Sequence, residues 1–140
     1  EVSEGALEVA QANAARCKLP VTWLQADIFE PIAGINPASL DIITSNPPYV
    51  LEEEKAQMRE NVLQYEPHLA LFVPDQDPLK YYRRITEVAV QLLKKGGKLY
   101  FEINERYGQE VRGLLLEAGF TEAQVVQDLF GKDRIVRGVL

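Results

Sequence analysis

The chain has 140 residues, of which 46% are hydrophobic and 26% charged, and its formal net charge is −6. These values are typical of a single globular domain. The acidic balance and the lack of a basic stripe argue against a nucleic-acid partner, because such proteins neutralise phosphates. No apolar run approaches the roughly 20 residues of a membrane helix. The single Cys17 excludes an internal disulfide and favours the reducing cytoplasm.

The first third of the chain predicts one helix and one strand. Small apolar residues at helical spacing indicate a helix over residues 2–15, with Ser3 as its N-cap. After Pro20, the run over residues 21–26 predicts a strand that ends at Asp27.

The middle of the chain contains a short apolar strand over residues 40–44, followed after Ser45 by Asn46-Pro47-Pro48-Tyr49, hereafter the tetrapeptide. The polar residues 52–64 are expected to be partly helical. Asp77 and Pro78 predict the cap and first position of the next helix. The pair Gly96-Gly97 is expected to end that helix.

The last third predicts a strand over residues 98–103, a helix over 105–118 that Gly119 stops, and strands over 124–129 and 134–140. The last two strands could pair antiparallel across Gly131. Strands separated by helices indicate βαβ units, and therefore an α/β fold with a mainly parallel sheet.

The tetrapeptide is the strongest chemical signal. Each proline fixes its own φ, restricts the preceding residue and removes an N–H donor. The Asn46 side-chain oxygen, the carbonyls around Pro47 and the flat ring of Tyr49 would form a rigid corner rich in acceptors. Such a corner suits a planar NH2 group of an amide or an amine. An ordinary turn is the alternative, but ligands in α/β folds bind at the carboxyl ends of strands, which favours a site.

The tetrapeptide resembles the Asn/Asp-Pro-Pro-Tyr/Phe signature of S-adenosylmethionine-dependent methyltransferases that modify nitrogen in adenine, cytosine or glutamine. Other segments resemble the HemK/PrmC-type release-factor glutamine methyltransferases in particular. They are residues 65–72 with Glu-Pro-x-x-Ala-Leu, residues 101–103 with 109–111, and residues 128–134 with Asp-x-x-Gly-x-Asp-Arg. The resemblance runs along the whole chain. Asn104 stands where that family usually has glycine, and its tolerance of the left-handed region makes the exchange mild.

This resemblance implies the fold and its extent. We expect an α/β class I S-adenosylmethionine-dependent methyltransferase (Rossmann-like) sheet that is incomplete at its N-terminal half. Residues 1–140 would then form a partial methyltransferase domain that lacks the first strand and the glycine-rich cofactor loop. The start at Glu1 rather than methionine suggests a cut inside a longer protein, and we expect the 140 residues alone to be inactive.

The resemblance also implies the cofactor, S-adenosyl-L-methionine, and the residues that bind it. Glu1 would accept hydrogen bonds from the ribose hydroxyls, although it could instead be an acid that favours a helix N-terminus. Asp27 would accept from the adenine amino group while Ile28 and Phe29 pack on the ring; the alternative is a strand-ending acid with two core residues. Asn46 would contact both cofactor and substrate.

The remaining polar candidates are less specific. Asn46, Pro47, Pro48 and Tyr49 are the predicted catalytic residues. Glu102 and Arg134 fit a structural pair as well as a catalytic one. His68 and Cys17 have no partner at metal-ligand spacing, so no metal site is predicted.

The implied reaction is N5-methylation of a glutamine in a Gly-Gly-Gln loop of peptide chain release factors, with no direct nucleic acid and no membrane involved. An adenine-N6 DNA methyltransferase is one alternative, against which the acidic charge and residues 65–72 speak. A non-catalytic methyltransferase-like module is the other.

Overall fold

The computed structural model describes residues 1–58 and 60–140, apart from the side chain of Gln57. Two compact units are present, residues 1–35 (unit 1) and residues 36–140 (unit 2). From the sequence we expected one partial domain over 1–140.

Unit 1 begins with helix α1 (Glu4–Arg16), capped as predicted by Ser3, whose hydroxyl accepts from the Ala6 amide at 3.2 Å. The predicted strand over residues 21–26 is wrong, since this segment is extended without a strand ladder. Its backbone bonds run to Glu1, which donates to the Leu24 carbonyl at 3.3 Å and accepts from the Ala26 amide at 3.0 Å. These two bonds follow the parallel pattern, but a strand needs a longer run of them.

Unit 2 alternates strands and helices along the chain. Its strands are β1 (Leu40–Ser45), β2 (Val50–Leu51), β3 (Phe72–Val73), β4 (Leu93–Glu102), β5 (Thr121–Gln127) and β6 (Asp133–Val139). Its helices are α2 (Glu60–Tyr65), α3 (His68–Leu71), α4 (Lys80–Leu92) and α5 (Gly108–Glu117), with 3₁₀ segments at Glu52–Gln57 and Glu105–Tyr107. No helix among the described residues is both long and apolar enough to cross a membrane.

The main sheet of unit 2 has the order β1-β4-β6-β5. β1 and β4 are parallel, whereas β6 is antiparallel to both β4 and β5. The predicted antiparallel closing pair is therefore confirmed, and the prediction of a mainly parallel sheet is wrong for this sheet. The reason is that β6 follows β5 through a short turn, which can only return the chain in the opposite direction.

The core of unit 2 lies on the face of the main sheet that α4 and α5 cover. Alternate residues of β4 point into it, and Leu99 and Phe101 are fully buried. The ring of Tyr82 from α4 meets Phe101 edge to face, with the centroids 5.2 Å apart. Packing on this face fixes the end of β4, where Phe101 pairs with Ser45 of β1. The tetrapeptide therefore leaves β1 beside Glu102.

Two boundaries differ from the sequence prediction. Helix α4 begins at Lys80 rather than at Asp77 and Pro78, and the Asp77 carboxylate instead bonds Arg83 at 3.2 Å. The helix also ends before the glycine pair, because the buried Leu93 already pairs with Leu40 of β1. Gly96, with φ +81, lies where the β1–β4 register shifts.

Two glycines of α5 give opposite predictions for stability. A Cβ at Gly108 would lie 2.9 Å from Asp133 Oδ2, 3.2 Å from Val125 Cγ1 and 3.3 Å from Ile103 Cδ1. Gly108→Ala should therefore lower the free energy of unfolding by about 1–3 kcal/mol through overpacking. Gly113 has nothing within 4 Å of its added Cβ, so Gly113→Ala should raise stability by up to about 1 kcal/mol through helix propensity.

Denaturant unfolding of the intact protein measures both changes. Equal effects of the two substitutions would contradict the close packing around Gly108.

Candidate active site

The tetrapeptide follows directly on β1, at the carboxyl end of that strand. Asn46 is exposed, Pro47 is buried, and Pro48 and Tyr49 are partly buried. The acceptor role predicted for the Pro47 carbonyl thus falls on a residue that is buried as a whole. The Asn46 side chain makes no hydrogen bond with any other described residue of unit 2. Its amide is therefore available to a ligand.

Tyr49 is held by Glu102, the last residue of β4, and by Asn104, two residues further along the chain. Its hydroxyl donates to Glu102 Oε1 at 2.9 Å. Its carbonyl accepts from the Asn104 side-chain amide at 3.3 Å. The orientation of the ring and the path of the chain through Tyr49 are consequently fixed together.

Asn104 and Glu54 extend this network beyond Tyr49. The Asn104 amide also donates to Glu54 Oε2 at 3.0 Å, and the same oxygen accepts from the Leu51 amide at 3.0 Å. The Asn104 oxygen caps the following 3₁₀ turn by accepting from the Arg106 amide at 3.1 Å. Asn104 has φ −67 and ψ 130, which is extended backbone. The left-handed tolerance proposed for this residue is therefore not used.

The surroundings of Tyr49 keep its hydroxyl protonated. Burial raises the pKa of Tyr49 above its ordinary value of 10, and the bond to the Glu102 carboxylate and its negative charge add to this. The positive charge of Arg134 acts in the opposite direction. Tyr49 is consequently a neutral hydrogen-bond donor near pH 7, not a base.

Glu102 and Arg134, considered from the sequence as a structural or a catalytic pair, form no ion pair with each other among the described residues. Arg134 bonds Asp128 at 3.3 Å, and Glu102 bonds Tyr49. Both charges instead act on the tyrosine hydroxyl. Sequence reasoning missed Glu54 and the use of Asn104, although the unusual residue at position 104 was a visible signal.

The predicted cofactor residues of unit 1 lie close together. The backbone bond from Ala26 to Glu1 brings Glu1 and Asp27 to adjacent ends of two segments. Glu1 Oε1 accepts from the Ser3 amide at 2.9 Å, and Asp27 Oδ1 accepts from the Phe29 amide at 2.9 Å. Each carboxylate keeps a second oxygen that can accept. Phe29 is 36% exposed and Ile28 partly exposed, so neither is a core residue.

This arrangement fits the adenosine half of S-adenosylmethionine. Two carboxylates suit a diol and an exocyclic amine, and an exposed aromatic ring suits a planar base. His68, by contrast, stacks on Phe72 with the ring centroids 4.3 Å apart and lies 3.0 Å from the Lys55 amine. These contacts give it a structural role.

The architecture is similar to that of known methyltransferases. A methyltransferase from Pyrococcus furiosus matches 99% of this chain and 59% of its own, with 17% identity and a TM-score of 0.66. The S-adenosylmethionine-dependent methyltransferase SibL matches 97% of this chain and 41% of its own, with 19% identity and a TM-score of 0.53. The fold is thus that of the class I S-adenosylmethionine-dependent methyltransferases.

Curated relatives narrow this class. Release factor glutamine methyltransferase of Bacteroides thetaiotaomicron is 50% identical over 136 residues, which are 97% of this chain and 49% of that protein. The enzyme of the same name from Flavobacterium psychrophilum is 44% identical over 98% of this chain and 47% of its own. No protein-family model matches the chain. The chain is a homologue of the release factor glutamine methyltransferases, and it spans about half the length of these relatives.

The Tyr49 hydroxyl provides a direct test of this geometry. Because its pKa in the folded state lies above 10, the neutral phenol stabilises the fold below pH 10, and this contribution is lost as the pH rises through the folded-state pKa. Glu102→Gln keeps an accepting oxygen but removes the charge, so the Tyr49 pKa should fall toward 10.

Phenolate absorbance, recorded as a difference between proteins with and without Tyr49→Phe, isolates this titration in both Glu102 backgrounds. A Tyr49 titration below pH 10, or a Tyr49 pKa that Glu102→Gln leaves unchanged, would contradict the hydrogen bond between Tyr49 and Glu102.

Proposed function

We propose that this chain is the catalytic part of an enzyme that methylates the N5 nitrogen of a glutamine side chain in peptide chain release factors. The observation that carries the proposal is the exposed Asn46 amide, without a partner in the described part of unit 2, beside the rigid Pro47-Pro48 corner. The prolines restrict the backbone beside this amide, and its oxygen can accept from a planar carboxamide NH2 group.

The substrate amide donates its two N–H groups to the Asn46 oxygen and the Pro47 carbonyl, with the Tyr49 ring beside it. An amide nitrogen is a weak nucleophile because its lone pair is delocalised into the carbonyl. Hydrogen bonds from its two N–H groups to these acceptors increase the electron density on the nitrogen. They also fix the direction in which the nitrogen attacks. Tyr49 is neutral and takes no proton. The methylated nitrogen is acidic, and it loses its proton to solvent.

S-adenosylmethionine, when bound, supplies a methyl group on a positively charged sulfur. Glu1 would hold the ribose hydroxyls and Asp27 the adenine amino group, while Ile28 and Phe29 contact the ring. Asn46 would contact both the cofactor and the substrate. Residues 1–140 would be part of one methyltransferase domain.

The proposed partner is a release factor that presents its glutamine on an exposed Gly-Gly-Gln loop. An exposed acceptor such as the Asn46 oxygen can receive the glutamine of such a loop without any device for extracting a base from a duplex. The net charge of −6 also disfavours a duplex. The exposed, single Cys17 supports a cytoplasmic location.

Asn46→Ala should lower kcat of the intact enzyme about a hundredfold, near 3 kcal/mol, because a preorganised partner of the reacting group is lost. Cofactor affinity should change far less. Asn13→Ala is the matched control, since Asn13 is exposed on α1 and should leave the rate unchanged. The rate is measured by methyl transfer to a release factor. A near wild-type rate for Asn46→Ala would rule out the proposed hydrogen bond between the substrate amide and the Asn46 oxygen.

The choice of substrate is tested separately with the same intact enzyme. Tritiated-methyl transfer is measured to a release factor, to the same factor with its loop glutamine replaced by alanine, and to unmethylated duplex DNA. Label should appear on the unaltered release factor alone. Label on DNA and none on protein would instead identify an adenine methyltransferase.

A further inference from the structure

We propose that Asn104 is a positioning residue of this active site. It acts by holding the carbonyl of Tyr49, and thereby the tetrapeptide, against Glu54. This inference rests on the function proposed above.

The side chain of Asn104 has no hydrogen-bond donor left for a ligand. Asn104 is only 8% exposed, and a buried amide needs partners for its donors and its acceptor. Its oxygen accepts from the Arg106 amide, while its nitrogen donates both to the Tyr49 carbonyl and to Glu54 Oε2. It therefore affects the reaction only through the groups it holds.

Glu54 makes the attachment firm. Its Oε2 also accepts from the Leu51 amide, and its Oε1 lies 3.4 Å from Arg106. The bond from Asn104 to this carboxylate is charge-assisted and hence stronger than a bond between neutral groups. Asn104 thus ties the segment after β4 directly to the carbonyl of Tyr49, just before β2, and through Glu54 to the amide of Leu51 within β2.

Asn104 limits how far the backbone of the tetrapeptide can move. Glu102 fixes the hydroxyl of Tyr49, but a ring can be fixed while the backbone behind it shifts. Asn104 removes that second freedom by holding the carbonyl. The methyltransferase family that this chain resembles usually has glycine at this position, and glycine has no side chain with which to hold the carbonyl. The attachment therefore depends on the asparagine that this chain carries.

Three variants of the intact enzyme separate positioning from stability. Asn104→Asp keeps the oxygen that caps Arg106 but removes both donated bonds and adds a charge beside Glu54. Glu54→Gln is the control. In the combination of the two, the amide introduced at position 54 can donate to the carboxylate introduced at position 104. The link between the two positions is then restored while the Tyr49 carbonyl still lacks its donor.

Asn104→Asp should lower kcat for release-factor methylation by about 10- to 100-fold, in the range that misplacement of reacting groups produces. The KM for the release factor should change less than about threefold, since binding groups are untouched. In the double variant the Tm should return close to that of Glu54→Gln, but kcat should stay low. Recovery of kcat together with the Tm would mean a merely structural role and would overturn the proposal.

A second readout does not depend on activity. Tyr49–Val50 is the single Tyr–Val pair of the 140 residues, so ¹³C-carbonyl tyrosine with ¹⁵N-valine marks the Tyr49 carbonyl, with Tyr49→Phe as the assignment control. The ¹³C chemical shift of the Tyr49 carbonyl should change in the double variant and should stay the same in Glu54→Gln. An unchanged shift in the double variant would overturn the bond itself. A wild-type enzyme that leaves release factors unlabelled would contradict the proposed function instead, and the carbonyl shift would still decide whether Asn104 holds Tyr49.

Discussion

The register between β1 and β4 is the constraint on which the site depends. Ser45 pairs with Phe101, so the chain that leaves β1 meets Glu102 at once. Phe101 is fully buried against the helical face, and sliding β4 by one residue would turn its whole apolar set outward. The hydrophobic core therefore sets the distance between the Tyr49 hydroxyl and its acceptor. In this way packing on the helical face of the sheet determines the geometry around Tyr49.

Several charged side chains around the tetrapeptide form ion pairs. Carboxylates are numerous there, but those of Glu53 and Glu54 bond Arg106, and that of Asp128 bonds Arg134. Each of these side chains keeps at least one fifth of its surface exposed, so the ion pairs add little to stability. Their effect is instead to orient backbone and side-chain donors. The exposed amide of Asn46 has no charged group bonded to it in the described part of unit 2.

Local signals in the sequence predict much of the fold and some of the site. The N-cap at Ser3, the strand before the tetrapeptide and the antiparallel closing pair all depend on neighbours close in sequence. The strand predicted over 21–26 failed because an extended apolar run becomes a strand only when a partner supplies a full ladder. The start of β4 was placed too late because pairing with Leu40 outweighed the turn preference of the glycines.

The contacts within the site could not be predicted from local signals in the sequence. Tyr49 and Glu102 are 53 residues apart, and Tyr49 and Asn104 are 55 apart. No periodicity or local motif encodes such pairs, because they arise from strand register and helix packing. The sequence could indicate candidate functional residues, but not which residues hold them in place.

The most direct test of the account is a crystal structure of the intact protein with the demethylated cofactor and a peptide that contains a Gly-Gly-Gln segment. The glutamine amide nitrogen should lie within hydrogen-bond distance of both the Asn46 side-chain oxygen and the Pro47 carbonyl, with Tyr49 still bonded to Glu102. A glutamine side chain bound away from the tetrapeptide would contradict the account.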